Sequence, residues 1–366
     1  MARDAPLQLA RGRAPNGNQD PDDHFPHNFW EEKMRLYAIL AAITLGCALP
    51  AQAEKLVLAH GYAPSHNVLV HGIVPWMACV RDGTQNAYDF DHFPSGQISG
   101  HTQSVSSLNS GLADLSVIVV AYSSDKVPMN GIPLLPGMGT TSVEMVGAYR
   151  RALSQDGILA GEYAAIDTVP LLVSILPAYQ VFSTIGPIDT LEKFAGFKVR
   201  VSGGSPTFMA QSLGAIPIEI NATDMYIALQ RKTVDGTFLT MSSAKPYAIH
   251  ELVNAVSTNG SFGSGSSVLA MDRGKFEALP PEHRQVFVDC GLEAEMATAE
   301  YVDAENAAVQ AEFVTLGIDA FAYPDDVLEV LAARMSQVTS EYIGRLTDRG
   351  LPAAEALQEY QNARAD

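Results

Sequence analysis

The chain has 366 residues, enough for two domains, and its 47% apolar content supports ordinary globular cores. With 23 basic against 41 acidic residues it carries a formal charge of −18, which argues against nucleic acid or anionic membrane as a partner.

The N-terminal segment 1–32 is polar and without apolar period. Lys33-Met34-Arg35, an apolar run of 14 residues over Leu36–Leu49, and Ala51-Gln52-Ala53 then follow. A basic start, an apolar centre too short to span a membrane and a small-x-small end are the three parts of a cleavable secretory signal. This reading puts the translation start at Met34, the signal over 34–53 and the mature start at Glu54; residues 1–33 become an over-extended reading frame or a disordered extension. Thr44-Leu45-Gly46-Cys47 is a weaker lipoprotein-type alternative, since Leu45 is bulky where a small residue is needed. No later segment is long and apolar enough to cross a membrane, and the expected location is the periplasm. Of the three cysteines, Cys79 and Cys290 remain after cleavage. One disulfide is permitted in an oxidising compartment, but two buried thiols are the expectation.

From Glu54 onward strands and helices alternate. Strands are predicted over Lys55–His60, Ala87–Phe93 and Leu115–Val120, with helices over Leu69–Val80 and Gln97–Ser110. The same order recurs later: strand Phe197–Val201, helix Pro206–Leu213, strand Ile216–Ile220, a helix over Asp224–Arg231 capped by Thr223, and strand Thr237–Thr240. Ser107–Asp114 and Ala228–Asp235 each read as a helix end, a short turn with an aspartate and an outgoing strand. The pattern predicts two similar α/β lobes with mostly parallel sheets. Long helices start at Pro280-Pro281 and Pro324, with a short one after Pro352, and are expected to pack across both lobes. The expected division is 54–177 with 265–305 for one lobe, 178–264 with 306–366 for the other, and a cleft near Gln180 and Phe262.

Catalytic motifs are absent. His250-Glu251-Leu252-Val253-Asn254 opens like a zinc-protease helix, but Asn254 stands where the second histidine ligand is required. His60, His66 and His71 fit neither one helix face nor one strand face, so no metal is expected. The informative stretch is Leu191–Pro206. Phe197, Val199 and Val201 alternate on one strand face, which leaves Arg200 on the other near the strand's C-terminal end, where open α/β sheets bind ligands. A guanidinium there can grip a carboxylate with two parallel hydrogen bonds. A surface ion pair is the alternative that the stretch alone leaves open. The glycines after it allow close backbone approach, and the helix start at Ser205-Pro206 favours an anion.

That stretch, with Leu213-Gly214-Ala215-Ile216-Pro217, Val234-Asp235-Gly236, Pro94-Ser95-Gly96-Gln97-Ile98 and Leu279-Pro280-Pro281-Glu282, resembles the extracytoplasmic solute receptors of TRAP transporters, the DctP-type family, over about residues 55–345. The resemblance implies a two-lobed periplasmic binding protein fold, type II-like, of the Venus-flytrap kind. It implies a binding protein rather than an enzyme, with no cofactor, that closes on a small organic acid and delivers it to membrane permease subunits. Matched to the family's motifs, Arg200 is the carboxylate ligand, with Gln180, Tyr62, His66, Gly203, Phe238 and Leu239 as pocket candidates. Gly203, Phe238 and Leu239 stand where sugar-acid receptors carry polar groups, so the expected ligand has one anchored carboxylate beside aromatic or apolar walls. A receptor for another transporter class or a sensor kinase, or a secreted enzyme on the same fold, are the alternatives.

Overall fold

The computed structural model describes residues 53–154 and 156–365. The signal segment, Cys47 and the proposed cleavage site lie outside the described residues, apart from Ala53. Among the described residues no helix is long and apolar enough to cross a membrane.

Two sheets form the frame. The first takes β1 (Glu54–Ala59), β2 (Tyr88–Phe93), β3 (Leu115–Val119), β4 (Thr168–Ile175) and β10 (Ser266–Asp272) in the order β2-β1-β3-β10-β4. The second takes β5 (Gln180–Ser183), β6 (Lys198–Val201), β7 (Ile216–Glu219), β8 (Gly236–Leu239), β9 (Ala255–Ser257) and β11 (Asp319–Phe321) in the order β11-β9-β5-β8-β6-β7. Strand parity divides the apolar residues between two faces, as a period of two requires. Leu115, Val117, Leu269 and Met271 enter one core, and Ile118, Val268 and Ala270 enter the core on the other face. In the second sheet Val181 and Phe238 part in the same way from Phe182 and Leu239.

The expectation of mostly parallel sheets needs correction. Within a lobe, helical crossovers do give parallel pairs, β1 with β2 and β3, and β6 with β7 and β8. But β10 is antiparallel to β3 and β4, and β5 is antiparallel to β8 and β9. Both β5 and β10 arrive from the opposite lobe. Each therefore starts at the sheet edge where its neighbours end.

The repeated turn has a physical identity. Asp114 N donates to Val57 O, and its carboxylate accepts from Val57 N at 2.8 Å. Asp235 N donates to Lys198 O, and its carboxylate accepts from Lys198 N at 3.1 Å. In both lobes one aspartate thus pins the outgoing strand, β3 or β8, to its parallel neighbour.

The helix Pro281–Thr315 puts Phe287, Cys290 and Ala294 into a core of the first sheet and Val309 and Phe313 into one of the second. The helix Asp325–Asp348 likewise gives Leu331, Met335 and Val338 to the second sheet and Tyr342 and Leu346 to the first. Grouping all of 306–366 with the second lobe does not describe the last helix, Ala353–Ala365, whose Ala353, Ala356 and Tyr360 pack in the first lobe's core. Two further expectations are corrected. Cys79 and Cys290 form a disulfide, because the helices carrying them pack with their Cα atoms 5.8 Å apart. Thr223 caps no helix: it lies within a short 3₁₀ turn, Ala222–Asp224, and the helix Met225–Gln230 starts after it.

Candidate functional site

Where the lobes meet, the strand ends border a partly open cavity of about 60 Å³. The first lobe contributes Tyr62 and His66 beyond β1, Tyr122 beyond β3, and Ser266 and Ser267 at the start of β10. The second contributes Arg200 at the end of β6 and Leu239 at the end of β8, with Tyr247 from the loop beyond. Tyr179, just before β5, completes the wall from the crossing segment. That crossing is a short ladder, in which Tyr179 N donates to Gly263 O, Phe262 N to Tyr179 O and Leu176 N to Gly265 O. A glycine is required at 263, where φ is +72° and a Cβ would lie 2.7 Å from Leu134 O.

Arg200 is 4% exposed. Its Nε donates to Ile220 O at 2.8 Å, and Nη2 donates to the Tyr122 hydroxyl at 2.6 Å. That hydroxyl also accepts from Ala222 N at 2.9 Å, so one first-lobe tyrosine is held by two second-lobe groups. Among the described residues no carboxylate pairs with Arg200, and no carboxylate lines the cavity. A buried guanidinium with only neutral partners is under-compensated.

The remaining walls are rings and hydroxyls. His66 stacks on Tyr62 at 4.0 Å, its Nδ1 accepts from Val68 N, and Tyr247 lies 5.5 Å away. Burial lowers the His66 pKa to about 3. It lowers that of His101, another lining residue, to about 4; the Val117 backbone opposes this, although neither ring nitrogen reaches hydrogen-bond geometry. Behind them His60 accepts from Tyr62 N through Nδ1 and faces His92 Nε2 at 2.8 Å, and burial, then His92, lowers its pKa to about 3. The histidines are therefore neutral at pH 7. Burial likewise raises the pKa of Tyr62 and Tyr247 and takes Tyr179 to about 12, so the phenols remain hydrogen-bond donors.

Of the residues singled out in the sequence, Arg200, Tyr62, His66 and Leu239 line this one cavity. Gln180, Gly203 and Phe238 are not part of this lining. Phe238 and Leu239 are neighbours on β8 and must face opposite ways; Phe238 is 1% exposed and stacks on Phe262 in the core. Gln180 sits at the right end of β5, but its side chain binds Gly260 N and O and Ser257 Oγ. Of the expected cleft pair Gln180 and Phe262, neither side chain lines the cavity between the lobes, which begins instead at Tyr179, the neighbour of Gln180; Phe262 borders a separate groove with Leu331 and Met335. Gly203, at φ +97°, lets the turn after β6 approach Ala121 O, to which a Cβ would come within 3.3 Å. The close approach is to the facing lobe, and the helix start at Ser205 lies beyond the cavity lining. His71 stands apart, stacked on Tyr301 at 3.5 Å.

Tyr122, Tyr179, Tyr247 and His101 were not singled out by the sequence. Tyr122 follows β3 directly and was open to the strand-end rule that found Arg200. The others reach the cavity from loops or turns whose course no local pattern sets.

A family model described as bacterial extracellular solute-binding protein, family 7 (DctP), matches residues 59–345. The outer membrane transporter protein TsaT of Comamonas testosteroni is 26% identical over 327 residues, covering 88% of this chain and 95% of that protein. A TRAP solute-binding protein from Rhodoferax ferrireducens T118, solved with copurified benzoate, superposes with a TM-score of 0.79 at 22% identity, covering 86% of this chain and 98% of the other. A TRAP periplasmic solute-binding protein from Bordetella bronchiseptica, solved with (R)- and (S)-mandelate, gives 0.77 at 20% identity, covering 85% and 99%. At these identities the structural likeness carries the two-lobed fold.

Proposed function

Because the chain belongs to family 7 of the bacterial extracellular solute-binding proteins, we propose that it captures a small aromatic monocarboxylate in the periplasm and delivers it to a TRAP-type membrane permease. The observation that carries the reading is Arg200, buried at the junction of the lobes with neutral partners and, among the described residues, no acid. A ligand carboxylate supplies the missing charge and the fork geometry that a guanidinium prefers. The faces of Tyr62, His66 and Tyr247 suit a flat apolar body, and the benzoate and mandelate bound by the two structural neighbours are ligands of that kind. With a chain charge of −18, long-range steering does not favour an anion. Selection must rest on contacts inside the cavity.

Ligand contacts drawn from both lobes favour closure over opening, and a solute receptor needs that difference to signal occupancy. Export through the signal over 34–53 agrees with the Cys79–Cys290 disulfide, a bond of oxidising compartments. The test is calorimetric titration of protein freed of ligand with benzoate, mandelate, galacturonate and succinate. The reading expects micromolar or tighter binding for an aromatic acid and at least about a hundredfold weaker binding of the sugar acid and the diacid, about 2.7 kcal/mol. Preference for galacturonate or succinate would refute the aromatic monocarboxylate.

A further inference from the structure

The carboxylate clamp accounts for only part of the cavity's polar equipment. His101 is 8% exposed and lines the cavity, yet neither Nδ1 nor Nε2 has a hydrogen-bond partner among the described residues. Ser266, 4% exposed on the same lining, has an equally unpartnered hydroxyl. Buried polar side chains are nearly always paired, because an unpaired one loses its hydration without a replacement. The chain also keeps room for this ring: a Cβ at Gly61 would lie 2.6 Å from His101 Cδ2. The Val117 backbone approaches the ring without reaching hydrogen-bond geometry, and the neighbouring rings make no bond to its nitrogens. Tyr62 meets it edge-on at 4.6 Å, and Tyr122 lies 6.2 Å away with its hydroxyl engaged by Arg200.

We infer that His101 and Ser266 form a second recognition point, which takes an uncharged hydroxyl on the same ligand and narrows the substrate class to hydroxylated aromatic monocarboxylates. The inference rests on the carboxylate reading of Arg200. A neutral imidazole offers one donor and one acceptor, and a serine hydroxyl offers both as well. A ligand hydroxyl, which also donates and accepts, matches them. Burial holds His101 neutral, with a pKa of about 4, and Arg200 is the one cationic side chain lining the cavity among the described residues. A second carboxylate would therefore meet no charge. The two points share Tyr122, which binds Arg200 through its hydroxyl and has its ring beside His101, so one small molecule can reach both.

Matched acids isolate the hydroxyl. Ligand-free protein is titrated calorimetrically with mandelate against phenylacetate, and with the three hydroxybenzoates against benzoate. At least one hydroxy acid is expected to bind about tenfold or more tightly than its parent. His101→Phe, which keeps a ring and removes the nitrogens, and Ser266→Ala should each cut that preference, read as the ratio of hydroxy acid to parent acid, to about threefold or less. Ser266→Ala carries the test alone if His101→Phe does not fold. Equal affinity within every pair, or a preference that survives the variants, overturns the second recognition point. If Arg200→Ala still abolishes binding of the parent acids in that case, the clamp stands without it; if Arg200→Ala binds them normally, the clamp and the inference built on it both fall.

Discussion

Arg200, which is buried, and Arg150, whose side chain is 17% exposed, are treated by the fold in opposite ways. Arg150, on the helix Ser142–Leu153, meets Glu295 of the long helix with Nη2 to Oε2 at 2.6 Å and Nε to Oε1 at 2.9 Å. Glu295, 2% exposed, also accepts from Val173 N on β4 at 3.0 Å. Burial still leaves the Glu295 carboxyl above its ordinary pKa although Arg150 pulls it down. Arg200 has a carbonyl and a phenol and, among the described residues, no carboxylate. Where a guanidinium ties a helix to a sheet, its counter-charge is built into the chain. Where it faces the cavity between the lobes, the described residues supply no counter-charge, and the proposed function leaves that to the ligand.

The largest expected effects would break that contrast. Arg150→Ala leaves Glu295 buried without its partner and is expected to cost about 3–5 kcal/mol of unfolding free energy, read as a lower midpoint in denaturant melts. Arg200→Ala in the ligand-free protein should change stability by less than about 0.5 kcal/mol, or raise it, because a cation without a counter-charge is removed. Equal destabilisation by the two substitutions would make Arg200 a structural residue and erase the distinction.

A smaller effect concerns the neutral walls around Arg200. His60 and His66 titrate at about 3 and His101 at about 4 in the folded protein, held down by burial, against about 6.5 in an unfolded chain. Below pH 6.5 the unfolded state takes up protons that the folded state refuses. Stability should therefore be full above about pH 7 and fall as the pH drops toward 4, by about 2 kcal/mol per histidine at pH 5 if they act independently. Melts of wild type and His101→Phe between pH 7.5 and 5 read this before most carboxylates titrate. The variant should show the shallower loss; parallel curves would show that His101 is not held neutral by the fold.

What the sequence disclosed follows the same line between local and tertiary causes. Arg200 was legible because Phe197, Val199 and Val201 fix the parity of β6 and its C-terminal end marks the ligand edge. Asp114 and Asp235 were legible as the same turn in two lobes, since a short local motif makes each. Gln180 has the right strand end, but its partners Ser257 and Gly260 lie some 80 residues along the chain. The antiparallel β5 and β10 and the Cys79–Cys290 bond likewise depend on how the chain crosses between lobes and how two distant helices pack. Tyr122 holds Arg200 from the opposite lobe, a pairing that no periodicity in either segment encodes.

The pairing of Arg200 with a ligand carboxylate is tested most directly by changing both partners at once. Calorimetry would titrate wild type and Arg200→Ala with the tightest-binding aromatic acid and with its primary amide, which keeps the shape and removes the charge. Wild type should prefer the acid by about 2–5 kcal/mol, and in Arg200→Ala the preference should collapse to within about 0.5 kcal/mol. Equal binding of acid and amide by wild type, or an acid preference that persists in Arg200→Ala, would contradict the account.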